Sequence, residues 1–440
     1  MTSPARGQLV TAAGDFLGSP RFTQTLSLVA FGLAFSTHAV RSVIGTPGLL
    51  GALGTVIVLC ALSFIAQRHY IEWHGLLPIS IMLYVGWCTI SVFWSDYREA
   101  SLVGFLYQLS FAFLGIYIAL VRDTIQIVRA VGDVLRVMLG VSLGLEILSG
   151  LILDLPIPFL GIQGNIAHGG PIQGLFGTRN QLSIVALIAF VTFLIELRTR
   201  SQRRSVVIGS ITMAVACILL AHSPVILLVA VVVGLATIAL FAMRKAPPHT
   251  RRYSQAGLLV LTVVLLILGW INRVQVINLL NARSDFYVRY DLWIQMWQLI
   301  PVNEFAGWGW VGTWPTTAFP FDIINYNLGT THDNGLNAFL DVYLQVGLVG
   351  LILFSTLIGL AFGRGWLLAS NKHSVVYAWV PLVLVALLST SVFESSILIE
   401  SGWLLVVVCA VKSSQGMSWR RHLRPATRSG PGSESALGPG

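Results

Sequence analysis

Two stretches of this chain carry side chains that can transfer protons or bind anions, and one of them is a compact polar cluster. In "GTTHDNGLNAFLDVYLQVGLVG", which begins at Gly329, His332, Asp333 and Asn334 precede a long apolar run. A neutral imidazole with a pKa of about 6.5 can accept a proton near neutral pH. We therefore expect His332 to be a catalytic base, with Asp333 and Asn334 orienting it or binding substrate. The alternative is a histidine that only satisfies its own hydrogen bonds.

The other stretch, "RSDFYVRYDLWIQMWQL", combines arginines with large aromatic residues at helical spacing. It predicts a helix over residues 284–300 that ends at Pro301. Arg289 and Trp293 are one turn apart on this helix, and Arg283 lies at its start. Guanidinium groups bind carboxylates and phosphates through paired hydrogen bonds, so Arg289 and Arg283 are candidate anion ligands. An amphipathic helix that lies on the outer leaflet is the alternative.

A glycine and tryptophan segment, "PVNEFAGWGWVGTW", follows this helix directly. Glycines allow tight backbone turns, and tryptophan offers a flat amphipathic face that can stack on a sugar ring. We therefore expect Trp308 and Trp310, together with Trp293, to contact substrate. Such a segment is equally typical of an anchor at the membrane interface.

The elements that must position these residues are apolar helices. Hydrophobic residues make up 55% of the 440-residue chain and charged residues only 10%, and the mean hydropathy is +0.79. This is too little polar surface for a soluble globule, so the composition predicts an integral membrane protein. Apolar runs of about 17 to 25 residues recur along the chain. They predict an all-α polytopic fold with about 12 transmembrane helices, near residues 23–37, 47–66, 74–94, 100–121, 132–153, 181–197, 205–221, 223–243, 256–272, 336–361, 375–392 and 397–411.

The distribution of Lys and Arg predicts the orientation. Of the 27 basic residues, 20 fall on the side that would hold both termini, six fall on the other side and one lies within a span. The positive-inside rule then makes both termini cytoplasmic. Arg283 and Arg289 are among the six outward residues, which is a reason to expect an anionic partner for them. The net charge of +9 needs no nucleic acid to explain it.

This topology divides the chain into five parts. They are a cytoplasmic N-terminal tail at 1–22, nine transmembrane helices within 23–272, a large extracytoplasmic loop at 273–335, three further transmembrane helices within 336–411, and a disordered basic cytoplasmic tail at 412–440. The four cysteines lie within apolar runs and share no metal-like spacing, so we expect no metal site and no cofactor.

Several motifs, in their order along the chain, resemble those of the O-antigen ligase and polymerase superfamily. This superfamily includes O-antigen polymerases, O-antigen ligases and exopolysaccharide polymerization proteins. The resemblance covers roughly residues 75–410 and is carried by "GLFGTRNQLS", "RYDLW", "PVNEFAGWGW", "THDNGLNAFLDVYLQVGLVG" and "SVFESSILI". The last of these is similar to a Glu-Ser pair of the exopolysaccharide members. In "LAHSPVILL", Pro224 occupies the place where many members have an arginine.

The resemblance implies inverting glycosyl transfer outside the cytoplasm, from a polyprenyl-pyrophosphate-linked oligosaccharide to a sugar hydroxyl of a glycan acceptor. It implies neither ATP nor an obligatory metal. His332 would be the base, and Arg289, with Arg283 and Arg179, would stabilise the leaving pyrophosphate. Asn180, next to Arg179 in "GTRNQLS", would bind substrate. Arg179 or Arg283 would replace the arginine missing at the position of Pro224.

The resemblance also implies a location and partners. The protein would lie in the cytoplasmic membrane with its active site on the outer face, in contact with membrane lipids and with polysaccharide assembly proteins.

Other functions stay open at this point. A polymerase and a ligase differ only in their acceptor, and no residue decides between them. A transporter would place polar groups at the bilayer midplane in broken helices, whereas the polar residues here concentrate in one outward loop. A flippase for lipid-linked glycans would place cations along a central cavity, where the spans offer only Arg136. A non-catalytic assembly protein is the remaining alternative.

Overall fold

The computed structural model describes residues 14–68, 79–247, 249–279 and 283–416. Four sequence predictions therefore fall partly outside the described residues. They concern the N-terminal tail up to residue 13, the start of the span at 74–94, residues 280–282 of the predicted loop, and the C-terminal tail from residue 417 onward.

The described part of the chain is all-helical, as predicted, and contains no β-strand. Its α-helices are α1 (Pro20–Phe35), α2 (Thr37–Ala66), α3 (Ile79–Ile90), α4 (Arg98–Val121), α5 (Thr124–Ile147), α6 (Arg179–Thr199), α7 (Arg204–Leu220), α8 (Pro224–Lys245), α9 (Arg251–Ile271), α10 (Arg273–Leu279), α11 (Arg283–Leu299), α12 (Phe321–Leu328), α13 (Ala338–Asn371), α14 (Trp379–Ser391) and α15 (Glu400–Gly416).

Six of these helices are long and apolar enough to cross a membrane: α2, α4, α5 with its extension to Leu153, α6, α8 and α13. A seventh candidate joins parts of α9 and α10 across a bend of 70°. A helix lies in each of the twelve predicted segments. Several of those helices are too short to span by length alone, so six candidate spans are established and twelve crossings stay a prediction.

Contacts between helix termini define two ends of the bundle. At one end, the Arg244 guanidinium at the end of α8 donates to the carbonyls of Ala369 and His373, and the Trp379 indole donates to Thr192 in the second half of α6. We call this the basic end, because α6 and α8 both finish there with Lys or Arg. The opposite end, where α6, α8 and α13 begin, is called the site end.

Helix α13 is broken where the sequence predicted one continuous span. Gly347 has φ +66°, in the left-handed region, and the backbone of the glycine and tryptophan segment fits into the break. Trp308 N–H donates to the Leu344 carbonyl at 3.1 Å, and Leu348 N–H donates to the Glu304 carbonyl at 2.8 Å. Backbone groups that lose their helical partners are therefore paired with a second segment, as burial requires.

We expect Gly347→Ala to destabilise the protein by more than about 1 kcal/mol. A Cβ atom on Gly347 would lie 2.2 Å from the Phe305 carbonyl oxygen, and the residue would keep a left-handed backbone. Thermal unfolding in detergent measures the effect. The control is Gly359→Ala in the same helix, where a Cβ atom would meet nothing within 4 Å. Equal stability of the two variants would contradict the inserted-segment geometry.

Candidate functional site

The loop before α13 holds His332 in a fixed position. The His332 N–H donates to Asn325 Oδ1 at 2.8 Å, and the Asn325 amide donates back to the His332 carbonyl at 3.2 Å. The ring Nε2 lies 3.1 Å from the Thr330 hydroxyl. Burial lowers the pKa of the half-buried imidazole, and the neighbouring Asp333 opposes that shift. The lowered pKa favours the neutral imidazole, and the ring retains partial exposure, as a base requires.

Asp333 and Asn334 bond to each other rather than to the imidazole. The Asn334 amide donates to Asp333 Oδ1 at 2.7 Å, and Asn334 Oδ1 accepts from the Leu336 N–H at 2.9 Å. Within the described residues the ring is hydrogen-bonded to Thr330, so neither Asp333 nor Asn334 orients it through a hydrogen bond, and their binding of substrate stays a prediction. Asp333 remains exposed at the surface of the loop.

The fully buried Asp341, in the first turn of α13, ties this loop to the bundle. Its carboxylate accepts from the Gly335 N–H at 2.9 Å, the Trp314 indole at 2.7 Å and the Gln345 amide at 2.7 Å. Trp314 N–H also donates to the Asp333 carbonyl at 2.8 Å. All three donors to the carboxylate are neutral, so hydrogen bonds rather than an ion pair hold the buried group.

Arg289 is engaged in a buried ion pair. Its Nη2 lies 2.7 Å from Glu394 Oε1, its Nε donates to the Phe393 carbonyl at 3.1 Å, and its Nη1 donates to the Asp285 carbonyl at 2.9 Å. The Arg289 side chain is only 7% exposed. This corrects the expectation of a guanidinium free to bind phosphate. Arg289 fixes α11 onto the turn between α14 and α15.

Arg179 and Asn180 join the same cluster from the start of α6. Arg179 Nη2 lies 2.7 Å from Asp285 Oδ2, and the Asn180 amide donates to Glu394 Oε1 at 2.7 Å. The Ser223 hydroxyl, next to Pro224, donates to Asn180 Oδ1 at 2.8 Å. Asn180 is therefore occupied by protein partners. Arg179 keeps 37% of its side chain exposed and can reach an anion.

Arg283, at the start of α11, is exposed. Its Nε donates to Asn278 Oδ1 at 2.6 Å, and it forms no ion pair within the described residues. Arg283 and Arg179 are therefore accessible cations near the buried Arg289. Burial raises the pKa of Glu394, and the positive charge of Arg289 opposes that shift.

Helix α11 connects the arginine cluster to the histidine loop. Trp293 lies one turn beyond Arg289, about 6 Å along the helix axis, and its indole donates to the Gly335 carbonyl at 3.1 Å. Trp293 therefore has a positioning contact with the loop that holds His332. The histidine loop and the arginine cluster therefore contact successive turns of one helix at the site end.

Trp308 and Trp310 do not have the exposed faces expected of sugar-binding residues. Trp308 is 8% exposed and Trp310 is fully buried against Tyr84. The Trp310 N–H donates to the Ser91 hydroxyl at 2.9 Å, which fixes this segment inside the bundle. Their expected contact with substrate is corrected: both tryptophans pack within the protein.

The sequence did not reveal that Asn325 and Thr330 hydrogen-bond to His332, or that Gln345 hydrogen-bonds to Asp341. Short polar residues inside a predicted loop give no signal of which backbone they will bind. The carboxyls of Asp341 and Glu394 carried a stronger signal, since an acidic residue within an apolar run needs a partner.

No group of three or more His, Cys, Asp or Glu side chains in the described ranges is arranged to hold a metal ion. None of the known protein-family models matches this chain, and none of the curated proteins matches it. The resemblance to the O-antigen ligase and polymerase superfamily therefore rests on the motifs quoted above.

Proposed function

We propose that this protein is a membrane glycosyltransferase that transfers a glycan from a polyprenyl-pyrophosphate donor to a sugar hydroxyl, most simply by polymerising repeat units of an exopolysaccharide or O-antigen-like chain. A ligase that uses another acceptor is the same chemistry with a different second substrate. The observation that carries the proposal is the arrangement along α11. There the loop that holds His332, a half-buried imidazole with a lowered pKa, contacts α11 through Trp293, and the partly exposed Arg179 contacts an earlier turn of the same helix through Asp285.

The chemistry needs one base and one region of positive charge. The acceptor oxygen attacks the anomeric carbon from the face opposite the leaving group, and its proton passes to the His332 imidazole. The bond between the anomeric carbon and the phosphate oxygen breaks, and the pyrophosphate leaves with the electron pair. Arg179 and Arg283 can stabilise this charge because their side chains are exposed, although Arg179 also pairs with Asp285, whereas Arg289 is buried against Glu394.

The location of the site agrees with a lipid-borne donor. A pyrophosphate on a polyprenyl tail is presented at the membrane surface, where helices begin and end. The site end carries the candidate residues, and the basic end carries the Lys and Arg typical of a cytoplasmic face. The proposed orientation therefore has the active site on the outer face of the cytoplasmic membrane.

The direct test is incubation of the purified full-length protein with a polyprenyl-pyrophosphate oligosaccharide in the presence of a chelator. Longer glycans and free polyprenyl pyrophosphate should appear together in a one-to-one relation, because each transfer releases one lipid pyrophosphate. Arg179→Ala should lower the rate at least about tenfold, since it removes an accessible charge near the leaving group. Intact donor with no new glycosidic bond would refute the proposal.

A transporter of lipid-linked glycans is the second candidate, and the break in α13 is the observation that favours it. Broken helices are typical of transporter binding sites. In this protein, however, Leu348 N–H and the Val346 carbonyl at the break are already bonded to Glu304 and Trp87. Movement of intact donor across liposomes without glycan elongation would select this candidate.

A further inference from the structure

Two adjoining cavities at the basic end lie far from the site described above. One, of about 480 Å³, is lined by Leu197, Arg198, Arg200, Arg204 and Ile208. The other, of about 440 Å³, is lined by Arg198, Thr237, Ile238, Phe241, Ala242 and Lys245. Arg198 lines both, and we call the two cavities together the basic groove.

The basic groove is cationic and its charge is not balanced by the protein. All four of its basic side chains are exposed: Arg198, Arg200, Arg204 and Lys245. None of the four forms a side-chain hydrogen bond or ion pair within the described ranges, and no acidic residue lines the groove. The acidic side chains of this region, Asp133 and Glu196, are both paired with Arg136.

The helix dipole accounts for Arg198, Arg200 and Lys245, which lie at helix C-termini, but not for Arg204. Arg204 is the first residue of α7, where the positive end of the helix dipole disfavours a cation. Arg200 is the C-cap of α6 and has φ +51°, a left-handed conformation that residues other than Gly and Asn rarely adopt. An anion bound beside Arg204 would offset the unfavourable helix dipole at that position.

The walls of the groove are apolar and face outward. Ile208 is 56% exposed and Ile238 is 69% exposed, and they lie beside the cations in the two cavities. In a membrane protein such side chains contact acyl chains. A ligand that fits both features has an anionic headgroup and a hydrocarbon tail.

We propose that the basic groove binds the phosphate headgroup of an anionic phospholipid, with its acyl chains against Ile208 and Ile238. Two cavities that share Arg198 have room for two phosphates, so a headgroup with two phosphates should bind more tightly than a headgroup with one. This site is independent of the proposed transferase activity, because it lies at the opposite end of α6 from Arg179.

The test is a titration of the full-length protein, purified in nonionic detergent, with cardiolipin, phosphatidylglycerol, phosphatidylcholine and inorganic phosphate. Bound lipid is counted by native mass spectrometry. We expect cardiolipin to bind most tightly, phosphatidylcholine to bind weakly, and the paired substitutions Arg198→Ala and Arg204→Ala to weaken cardiolipin binding at least about tenfold.

The matched control removes the same charge from the same end of the bundle, by Arg21→Ala with Lys372→Ala. Both of these residues are exposed and neither lines the groove. Ile208→Glu, which keeps every cation, should also weaken binding by placing a negative charge on the wall. Equal weakening in the control, equal affinity for phosphatidylcholine, or full competition by inorganic phosphate would each overturn the proposal.

Discussion

Replacing His332 with alanine should lower the rate of glycan transfer by about 100-fold to 10,000-fold, the usual contribution of a general base. Asn325 holds the backbone of this residue on both sides, so the loop should keep its shape when the ring is removed. The rate is measured as release of polyprenyl pyrophosphate by protein reconstituted in nanodiscs. Added imidazole should restore part of the activity.

The pH dependence of glycan transfer should reflect the titration of the His332 imidazole. The neutral imidazole is the active form, and burial lowers the pKa of His332 below its ordinary value. Activity should therefore be constant near pH 7 and fall only as the pH drops below about 6.5. In the His332→Ala variant supplied with imidazole, the fall should move to the higher pKa of free imidazole.

His168→Ala is the matched control, because His168 is exposed in another connection between helices and has no place in the candidate site. It should keep full activity and the same pH profile. Full activity of His332→Ala, or an acid limb that does not change, would remove His332 from the mechanism.

Glu394→Gln should destabilise the folded protein by about 3 to 5 kcal/mol. The substitution leaves the Arg289 guanidinium, only 7% exposed, without its carboxylate. It also replaces the acceptor of the Asn180 amide. The ion pair joins α11 to the turn before α15, so the loss of stability should appear as a lower denaturant concentration at the midpoint of unfolding.

A double-mutant cycle with Arg289→Met separates the ion pair from other effects. Removing both partners should cost less than the sum of the single changes, since neither charge is then left buried alone. Arg283→Ala, on the same helix but exposed, should change stability by no more than about 0.5 kcal/mol. Additive effects of Arg289→Met and Glu394→Gln would mean that the pair is not coupled in the folded protein.

The positions of the helices could be predicted closely from the sequence. The segment predicted over 284–300 forms α11 over Arg283–Leu299, and each apolar run contains a helix. Both results follow from local signals, because apolar length and helical spacing are properties of neighbouring residues. The break at Gly347 was not predicted, since it depends on a segment about forty residues upstream.

The partners of the candidate site residues could not be predicted in the same way. Asp285 precedes Arg289 by four residues, a spacing that favours a pair on one helix, yet its carboxylate binds Arg179 on α6. Arg289 pairs instead with Glu394 from a distant turn. A side chain on a helix can pair with a residue one turn away or with a residue on an adjacent helix. Which partner it takes depends on how the helices pack, which spacing within one helix does not reveal.

By itself the sequence determined an all-helical chain with several helices apolar enough to cross a membrane, because the length of an apolar run is a property of one segment at a time. Only the tertiary structure decided which arginines are buried in ion pairs and which are exposed. It also decided that Trp310 packs inside the bundle. The physical reason is that burial and pairing depend on which helices meet, and those contacts join residues far apart in the chain.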